Sequence, residues 1–569
     1  MEFKSIKISN FRNFENIEIA LNNKNVFFGM NDVGKTNFLY ALRYVFDRDV
    51  RKKNLIDTDF YRKNTDNPIE ITICIDISDY EDSDSEKLRA QVKGAIMSNQ
   101  NSVYIKLRAE YNRNEMFANP ILYWGGDEKD LQEIAARGYT FDIDRVFNVV
   151  YIDAYVNLYS LFNKHASALL QADNENEYDK SILMNIEETI KKLNEDIATL
   201  SGVKNFEGKV LEEYKRFRND KVAISVESEI AVSGLYSNVV PYIKKGEDNA
   251  LYPTSGEGRK KLLAYSIYCL LVEKLSEQKI NLFLIEEPEN HLHKSMQLAL
   301  SKSIFESERY KYTFLTTHSS FILSEMDQVN LVRIYNETKV DSKSVFYTVP
   351  SHFREQKRRL NKDLSEAIFA DKVLLVEGDS EEVLFEKILS TKYAFYEADG
   401  IYILKVNGIG FKPYIKILRQ LNIPCVVKTD NDLRKSKESK YEVIGFRRVN
   451  EIIKMMHNDK GDYLPSDDIE DPNADISKVK RDIYELNRDK LDSIRQEFHI
   501  YLSRVSLEED LDEVIHQKMN EYLDRPNEDA VSYLQKSKKY RMIELVKKLT
   551  EEDCQLILNH DNFFCLKEI

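Results

Sequence analysis

The spacing of apolar and polar residues changes period several times along the chain, and each change marks an element. Phe3 to Ile8 alternates, with Ile6 and Ile8 two apart on one face, which predicts a short strand. Asn25 to Phe28 predicts a second short strand leading into a glycine-bearing loop, and Phe38 to Phe46 continues as a helix. Ile69 to Ile77 (IEITICIDI) is strongly β-branched and predicts a strand. From Ser181 to Leu200 the period lengthens. Leu183, Ile186, Ile190, Leu193, Ile197 and Leu200 stand 3, 4, 3, 4 and 3 apart, an a/d seam shorter than three heptads. Two readings of that helix stay open: packing within a core, or a helical insertion that pairs two subunits. Alternation resumes at Val222 and continues through Ile280 to Leu284 and Thr313 to Thr316. Ser351 to Asp363 is polar and basic and reads as a linker, solvated or touching nucleic acid. Lys372 to Val376 is an almost wholly apolar strand, followed by Glu377-Gly378 and a helical stretch to Leu389. Ile423 to Val427 is another apolar strand and ends at Lys428-Thr429-Asp430-Asn431-Asp432. Residues 441–569 are charged and mostly helical in pattern.

Composition narrows the class without naming a function. At 569 residues the chain needs more than one core, and 42% hydrophobic with 31% charged residues is the balance of a soluble globular protein. It has no run of about 18 apolar residues and no signal-peptide core at its start, so the expectation is a cytoplasmic protein with no membrane span. Five scattered cysteines without a CxxC argue against disulfides and zinc. The net charge, 82 − 96 = −14, speaks against a nucleic-acid coat protein. It does not exclude a nuclease, whose metal sites require clustered acids.

Gly29-Met30-Asn31-Asp32-Val33-Gly34-Lys35-Thr36 matches GxxxxGK[ST] between an apolar strand and a helix, the context a phosphate-binding loop requires. Its backbone N–H groups, with Gly29, Asn31 and Gly34 in the loop and Asn37 just after it, suit phosphate oxygens. Lys35 supplies charge to the β/γ-phosphates and Thr36 a hydroxyl to Mg²⁺. Asn281 to Glu289 (NLFLIEEPE) delivers two acids at a strand end: Glu286 to support Mg²⁺ and Glu287 to polarise the attacking water. This resembles the Walker B of ABC-type ATPases, with Glu where Asp is usual. Thr254-Ser255-Gly256-Glu257-Gly258-Arg259 resembles the ABC signature loop through Ser255, although a helix N-cap explains that serine as well. His318, in FLTTHS, resembles the switch histidine. The long interval between the two nucleotide motifs and the opening IKISNFRNF resemble the SMC/RecF-like branch, in which ATP sites form between two subunits.

The second constellation is strand–Glu377-Gly378 followed by strand–Asp430-x-Asp432. Acids at the C-terminal edges of adjacent parallel strands converge on hard cations, here Mg²⁺ or Mn²⁺. Such ions activate water and stabilise the leaving oxygen in phosphodiester hydrolysis. Gly378 is expected to allow a tight turn, and Glu381 lies one helical turn after Glu377. Glu508, Asp510 and the lysines Lys536 and Lys538 offer further ligands and charge, though their spacing is equally that of ordinary surface residues. This layout resembles a Toprim domain.

An ABC ATPase followed by Toprim resembles the OLD family of nucleases. FGMNDVGKTNFLYALR, YPTSGEGRKK, LIEEPE, VLLVEG, VVKTDNDL and YLQKSK resemble the nuclease subunits of Gabija antiphage defence along essentially the whole chain. The resemblance implies an ATP-binding, metal-dependent endonuclease acting on double-stranded DNA, with cleavage restrained by the nucleotide. It also implies a homo-oligomer, dimer or tetramer, and a helicase-like partner subunit, GajB. It points to Glu377, Asp430, Asp432, Asp510 and Lys538 as nuclease residues, with Glu381, Glu508 and Lys536 behind them. The expected fold is α/β. An ABC-type ATPase occupies 1–150 and 222–350, interrupted by a helical dimerisation insertion at 151–221. A linker at 351–370 and a Toprim domain with a helical C-terminal segment at 371–569 follow. Two other readings compete: a repair-type RecF/SMC-like ATPase with an inactive Toprim-like domain, and a topoisomerase or primase-type enzyme, which the ABC fusion does not suit.

Overall fold

The computed structural model describes the chain apart from residues 30–33, 93, 98, 138–139, 159, 162–163, 165–176, 218–224, 226–255, 276–277, 337–338, 394, 408, 437–439, 458–460, 471–474 and 525–528. Two compact units emerge, one of residues 1–151, 282–289 and 293–569, the other of residues 152–281 and 290–292.

The first unit opens with an antiparallel hairpin, β1 (Glu2–Phe11) and β2 (Phe14–Ala20). Phe3, Ile6 and Ile8 are fully buried, as the alternation expects. β3 (Lys24–Phe28) runs into the phosphate loop and α1 (Lys35–Phe46) leaves it. β4 (Ile69–Asp76), β5 (Ser102–Asn112), β6 (Phe117–Asp127) and β7 (Asp130–Glu133) extend the hairpin into an antiparallel sheet, β2-β1-β4-β5-β6-β7. A second sheet uses β8 (Phe147–Ile152), β9 (Ile280–Glu286), β10 (Tyr312–Thr316), β11 (Val329–Tyr335) and β12 (Asp341–Tyr347) in the order β8-β9-β10-β3-β11-β12. β9, β10, β3 and β11 are parallel, and β12 closes the edge antiparallel. A strand covered on both faces reads as an unbroken apolar run, which is why Val26-Phe27-Phe28 and Phe283-Leu284-Ile285 are both uninterrupted and buried.

In the second unit the described helices are α2 (Glu177–Thr199), α3 (Ser201–Phe217) and α4 (Glu257–Leu275). α2 carries the heptad seam. Ile186, Ile190 and Ile197 are half-buried, while Leu193 and Leu200 are exposed. α4 packs Ala264, Ile267 and Leu271 against Leu158 and Leu161. Ser255 and the alternation expected from Val222 lie outside the described residues.

The basic segment after β12 is a short 3-10 turn (Ser351–Gln356) and a helix, α5 (Lys357–Ile368), rather than open chain. Leu360, Leu364, Ala367 and Ile368 are buried. Asn361, fully buried, donates to the carbonyls of Ser324 and Met326 at 3.0 and 2.8 Å and accepts from the Tyr347 hydroxyl at 2.7 Å. A parallel sheet follows, built from β13 (Lys372–Val376), β14 (Ile401–Lys405), β15 (Cys425–Thr429) and β16 (Ile500–Leu502) in the order β14-β13-β15-β16. Its helices include α6 (Asp379–Lys392), α7 (Lys412–Gln420), α8 (Ile444–His457), α9 (Leu507–Leu523), α10 (Ala530–Lys536), α11 (Lys538–Val546) and α12 (Glu551–Asn559). α6 and the C-terminal helices share one apolar core, with Leu384, Phe385, Leu511, Met519, Leu534 and Ile557 all buried. β16 is the element the helical reading of 441–569 passes over. No described helix is long and apolar enough to cross a membrane.

Candidate active site

The nucleotide motifs converge at the C-terminal edge of the second sheet. Gly34 adopts φ +100°, and a Cβ there would fall 2.0 Å from the Asn13 side chain, so both conformation and space require glycine. Lys35 is buried, and its ammonium donates to the Gly29 carbonyl at 3.0 Å. Asn37 donates to Asn13 at 2.9 Å and accepts from Arg12 at 3.0 Å. The Thr36 hydroxyl donates to Glu286, whose other oxygen accepts from the Tyr151 hydroxyl at 2.5 Å. Arg43 stacks over the Tyr151 ring at 3.8 Å. Glu286 thus has the reach to meet the Thr36 hydroxyl directly, and Tyr151, absent from the sequence reading, fixes its orientation. Glu287 sits at φ 40°, an uncommon backbone state for a side-chain-bearing residue. The backbone N–H of His318 donates to Glu289 at 2.7 Å. Partial burial and then the nearby Lys35 ammonium hold the imidazole below its ordinary pKa, against the pull of Glu287. Lys35, Thr36 and Glu286 fit a magnesium-bound triphosphate. Asn31 and Ser255 fall outside the described residues.

The His318 ring lies 6.1 Å from that of Phe369, and Phe369 also meets Phe28, at the end of β3, edge-on at 6.1 Å. Phe369 directly follows α5.

The acids of the third sheet stand at the C-terminal edges of adjacent strands. Glu377 leaves β13 and Asp430 leaves the adjacent β15. Glu377 accepts from the Thr429 hydroxyl at 2.5 Å and from the Asp430 backbone N–H at 2.8 Å. Asp430 is 5% exposed and accepts from the Ser503 hydroxyl at 3.0 Å. Burial first, then the charges of Glu381, Glu377, Glu508 and Asp432, push its carboxyl well above the ordinary range. Glu381 is buried on the first turn of α6. Glu508, buried at the start of α9, accepts from Ser506 at 3.1 Å. Arg448 of α8 bridges the cluster, donating to Glu377, to Thr429 at 2.5 Å and to Asp432 at 2.9 Å. Among the described residues no three His, Cys, Asp or Glu side chains stand close enough together to hold a metal ion as they are placed. The donor set is nevertheless all carboxylate oxygen, and the repulsion written into Asp430 is what a hard divalent cation relieves, so the residues fit one.

Asp510 is placed differently. Its oxygens accept from Lys428 at 2.9 Å and from the Arg504 backbone N–H at 3.0 Å, within the core. Lys536 is exposed, and the Lys538 side chain lies outside the described residues. The neighbouring Lys539 reaches Asp379 at 3.2 Å. Gly378 sits at the bend between β13 and α6, and no left-handed backbone requires glycine there. Its backbone is extended, and a Cβ would meet Glu381 at an ordinary 3.7 Å. The glycine that matters sterically is Gly445, where a Cβ would come within 2.8 Å of the Asp430 carbonyl. It lets α8 close on the acid loop and carry Arg448 in.

The AAA ATPase domain family matches residues 1–323, and the Overcoming lysogenization defect protein-like TOPRIM domain family matches residues 368–432. Endonuclease GajA of Bacillus cereus (strain VD045) is 42% identical over 578 aligned positions, covering 100% of this chain and 99% of that protein. Endonuclease GajA of Bacillus cereus (strain HuB5-5) is 25% identical, covering 51% of this chain and 46% of its own length. Among solved structures, the SMC head domain from Thermotoga maritima aligns at 12% identity and TM-score 0.29, covering 61% of this chain and 100% of that one. The C-terminal region of the Burkholderia pseudomallei OLD protein aligns at 19% and 0.24, covering 35% and 98%. TM-scores this low carry no weight in the assignment. With an ATPase fold joined to a Toprim sheet and identity sustained from end to end, the chain belongs to the GajA endonuclease family.

Proposed function

We propose that the chain is a metal-dependent DNA endonuclease of antiphage defence, and that nucleotide bound in the ATPase domain restrains its cutting. The observation that carries this reading is the approach of Glu377, Glu381, Asp432 and Glu508 to the buried Asp430 carboxylate at the edge of a parallel sheet, with Glu377 bonded to the Asp430 N–H. Glu377, Asp430 and Asp432 hold Mg²⁺ or Mn²⁺, with Glu381 and Glu508 supporting. Glu508 takes the place expected of Asp510, whose oxygens are committed to Lys428 and Arg504. Bound cations supply water activation and leaving-oxygen stabilisation. Thr429 and the Asp430 N–H orient Glu377, and Ser503 orients Asp430. Arg448, with lysine from the 536–539 segment, offsets charge on the phosphodiester as the P–O bond breaks. Lys35, Thr36, Glu286 and His318 would hold ATP, and Glu287 would polarise the attacking water.

The remaining assignments belong to the same proposal. The ATPase domain spans 1–150 and 222–350, residues 151–221 are a dimerisation insertion, residues 351–370 link, and 371–569 is the nuclease. The half-open seam of α2 supports pairing of two copies. A helicase-like partner and a cytoplasmic setting complete the reading.

The test is plasmid nicking in Mg²⁺ or Mn²⁺, with and without ATP. Glu377→Ala is expected to lose at least a hundredfold in nicking with nucleotide binding intact, and Lys35→Ala to nick without nucleotide control. DNA-stimulated ATP hydrolysis without nicking would favour the repair-type ATPase instead.

A further inference from the structure

A cavity of 550 Å³ opens directly beside Glu377 and Arg448. Its lining is largely apolar and includes Ile409, Phe411, Ile452 and Met455. His352 and Phe353 line it too, so the basic segment the sequence presents as a linker shares this cavity with Glu377. Lys412 and Lys416, on the first turns of α7, also line it. Lys412 is paired with Glu451 at 2.8 Å. Lys416 is exposed and has no carboxylate within ion-pair distance among the described residues.

Three features define the occupant. Glu377 lines the cavity, so whatever enters lies beside the group undergoing reaction there. An apolar lining bearing an aromatic ring suits a flat, weakly polar body such as a nucleobase. Two of its cations suit a sugar–phosphate chain: Arg448, bonded to the acids, and Lys416, exposed and outside any ion pair among the described residues. A duplex with its bases stacked cannot present a base to such a lining, whereas an unstacked nucleotide can.

We propose that this cavity takes one unstacked nucleotide of the substrate strand, adjacent to the scissile phosphodiester, with its base on Phe411, Ile452 and Met455 and its phosphate between Arg448 and Lys416. The proposal rests on the endonuclease reading and specifies how that site grips its strand. Selection of sequence then falls partly on which steps unstack at low cost.

The experiment uses the full chain and a duplex taken from a site it nicks on a plasmid, with 2-aminopurine placed in turn on either side of the scissile bond. Ca²⁺ replaces Mg²⁺ so that binding is read without cutting. Fluorescence is expected to rise severalfold at one flanking position. Met455→Trp, which fills the cavity from a half-buried position, is expected to abolish the rise and slow nicking at least tenfold, with Mn²⁺ and ATP affinities within twofold of wild type. Lys416→Glu, on an exposed side chain and so independent of folding, is expected to reduce the rise and the nicking in the same sense. No rise at either flank, or wild-type nicking by both variants, overturns the proposal while leaving the endonuclease reading standing. A wild-type chain that fails to nick in either metal removes both.

Discussion

Replacing either member of the Lys428–Asp510 pair separates a structural carboxylate from a catalytic one. Lys428 is 2% and Asp510 1% exposed, their charged atoms lie 2.9 Å apart, and the lysine also donates to the Asn562 carbonyl at 3.0 Å. Burial pushes the Lys428 ammonium down in pKa, but the Asp510 carboxylate outweighs it and the group stays above its ordinary value. Its ionic contribution is therefore fully present at neutral pH and is lost only as pH rises through that raised value. Removing one charge leaves the other buried and uncompensated, at a cost of about 3–5 kcal/mol. For a unit of nuclease-domain size, where 1 kcal/mol moves Tm by roughly 2–4 °C, Asp510→Asn and Lys428→Met alone should each lower its transition by about 6–20 °C. The double variant keeps an acceptor for the Arg504 N–H and buries no lone charge, so it should recover most of that loss. Calorimetry and plasmid nicking on the four proteins decide the matter. If Asp510→Asn keeps its transition temperature, loses nicking and is not rescued by Lys428→Met, Asp510 is a metal ligand and the structural assignment fails.

Two further outcomes follow from local geometry. Gly34→Ala places a methyl group where φ is +100° and Asn13 is already present, so ATP binding by fluorescence titration should weaken at least tenfold, and the strain should lower the transition temperature by roughly 2–12 °C. Asp553 closes a capping box with Thr550 and accepts from Lys518 and from Tyr522 at 2.8 Å. Burial pushes its carboxyl up, but these bonds prevail and hold it at about 2. Its contribution is present above the unfolded carboxylate range and is lost as pH falls toward 2. Asp553→Asn should thus cost about 1 kcal/mol in urea unfolding at pH 7, and that difference should shrink steadily as pH falls below the unfolded carboxylate range and through about 2.

The strand-ending motifs were legible because each couples an unbroken apolar run to a fixed chemical group: Val26-Phe27-Phe28 to the phosphate loop, Phe283-Leu284-Ile285 to Glu286, and Lys372–Val376 to Glu377. Two adjacent buried parallel strands must end at the same edge, so the meeting of Glu377 and Asp430 could be read from order alone. β16 could not, since three residues in Ile500-Tyr501-Leu502 give no period to count. With it went the location of Ser503, and the choice between Glu508 and Asp510 depends on which side of α9 faces β15. Arg448 was equally silent. It lies sixteen residues past Asp432, on a helix, and its only local sign is Gly445, whose missing side chain admits the helix. Tyr151 is one of 33 tyrosines, and nothing but strand neighbourhood connects it to Glu286.

Phe369 touches the ring that ends the phosphate-loop strand and the histidine beyond β10, and the polypeptide then runs through a single fully inserted strand to Glu377. Only the bend at Ala370 and Asp371 separates that ring from the first residue of β13, and no glycine occurs between Phe369 and Val376. Phe369, which meets the ring that closes the phosphate-loop strand, and the acid at Glu377 stand eight residues apart on one stretch of chain, so a single short segment borders both sites.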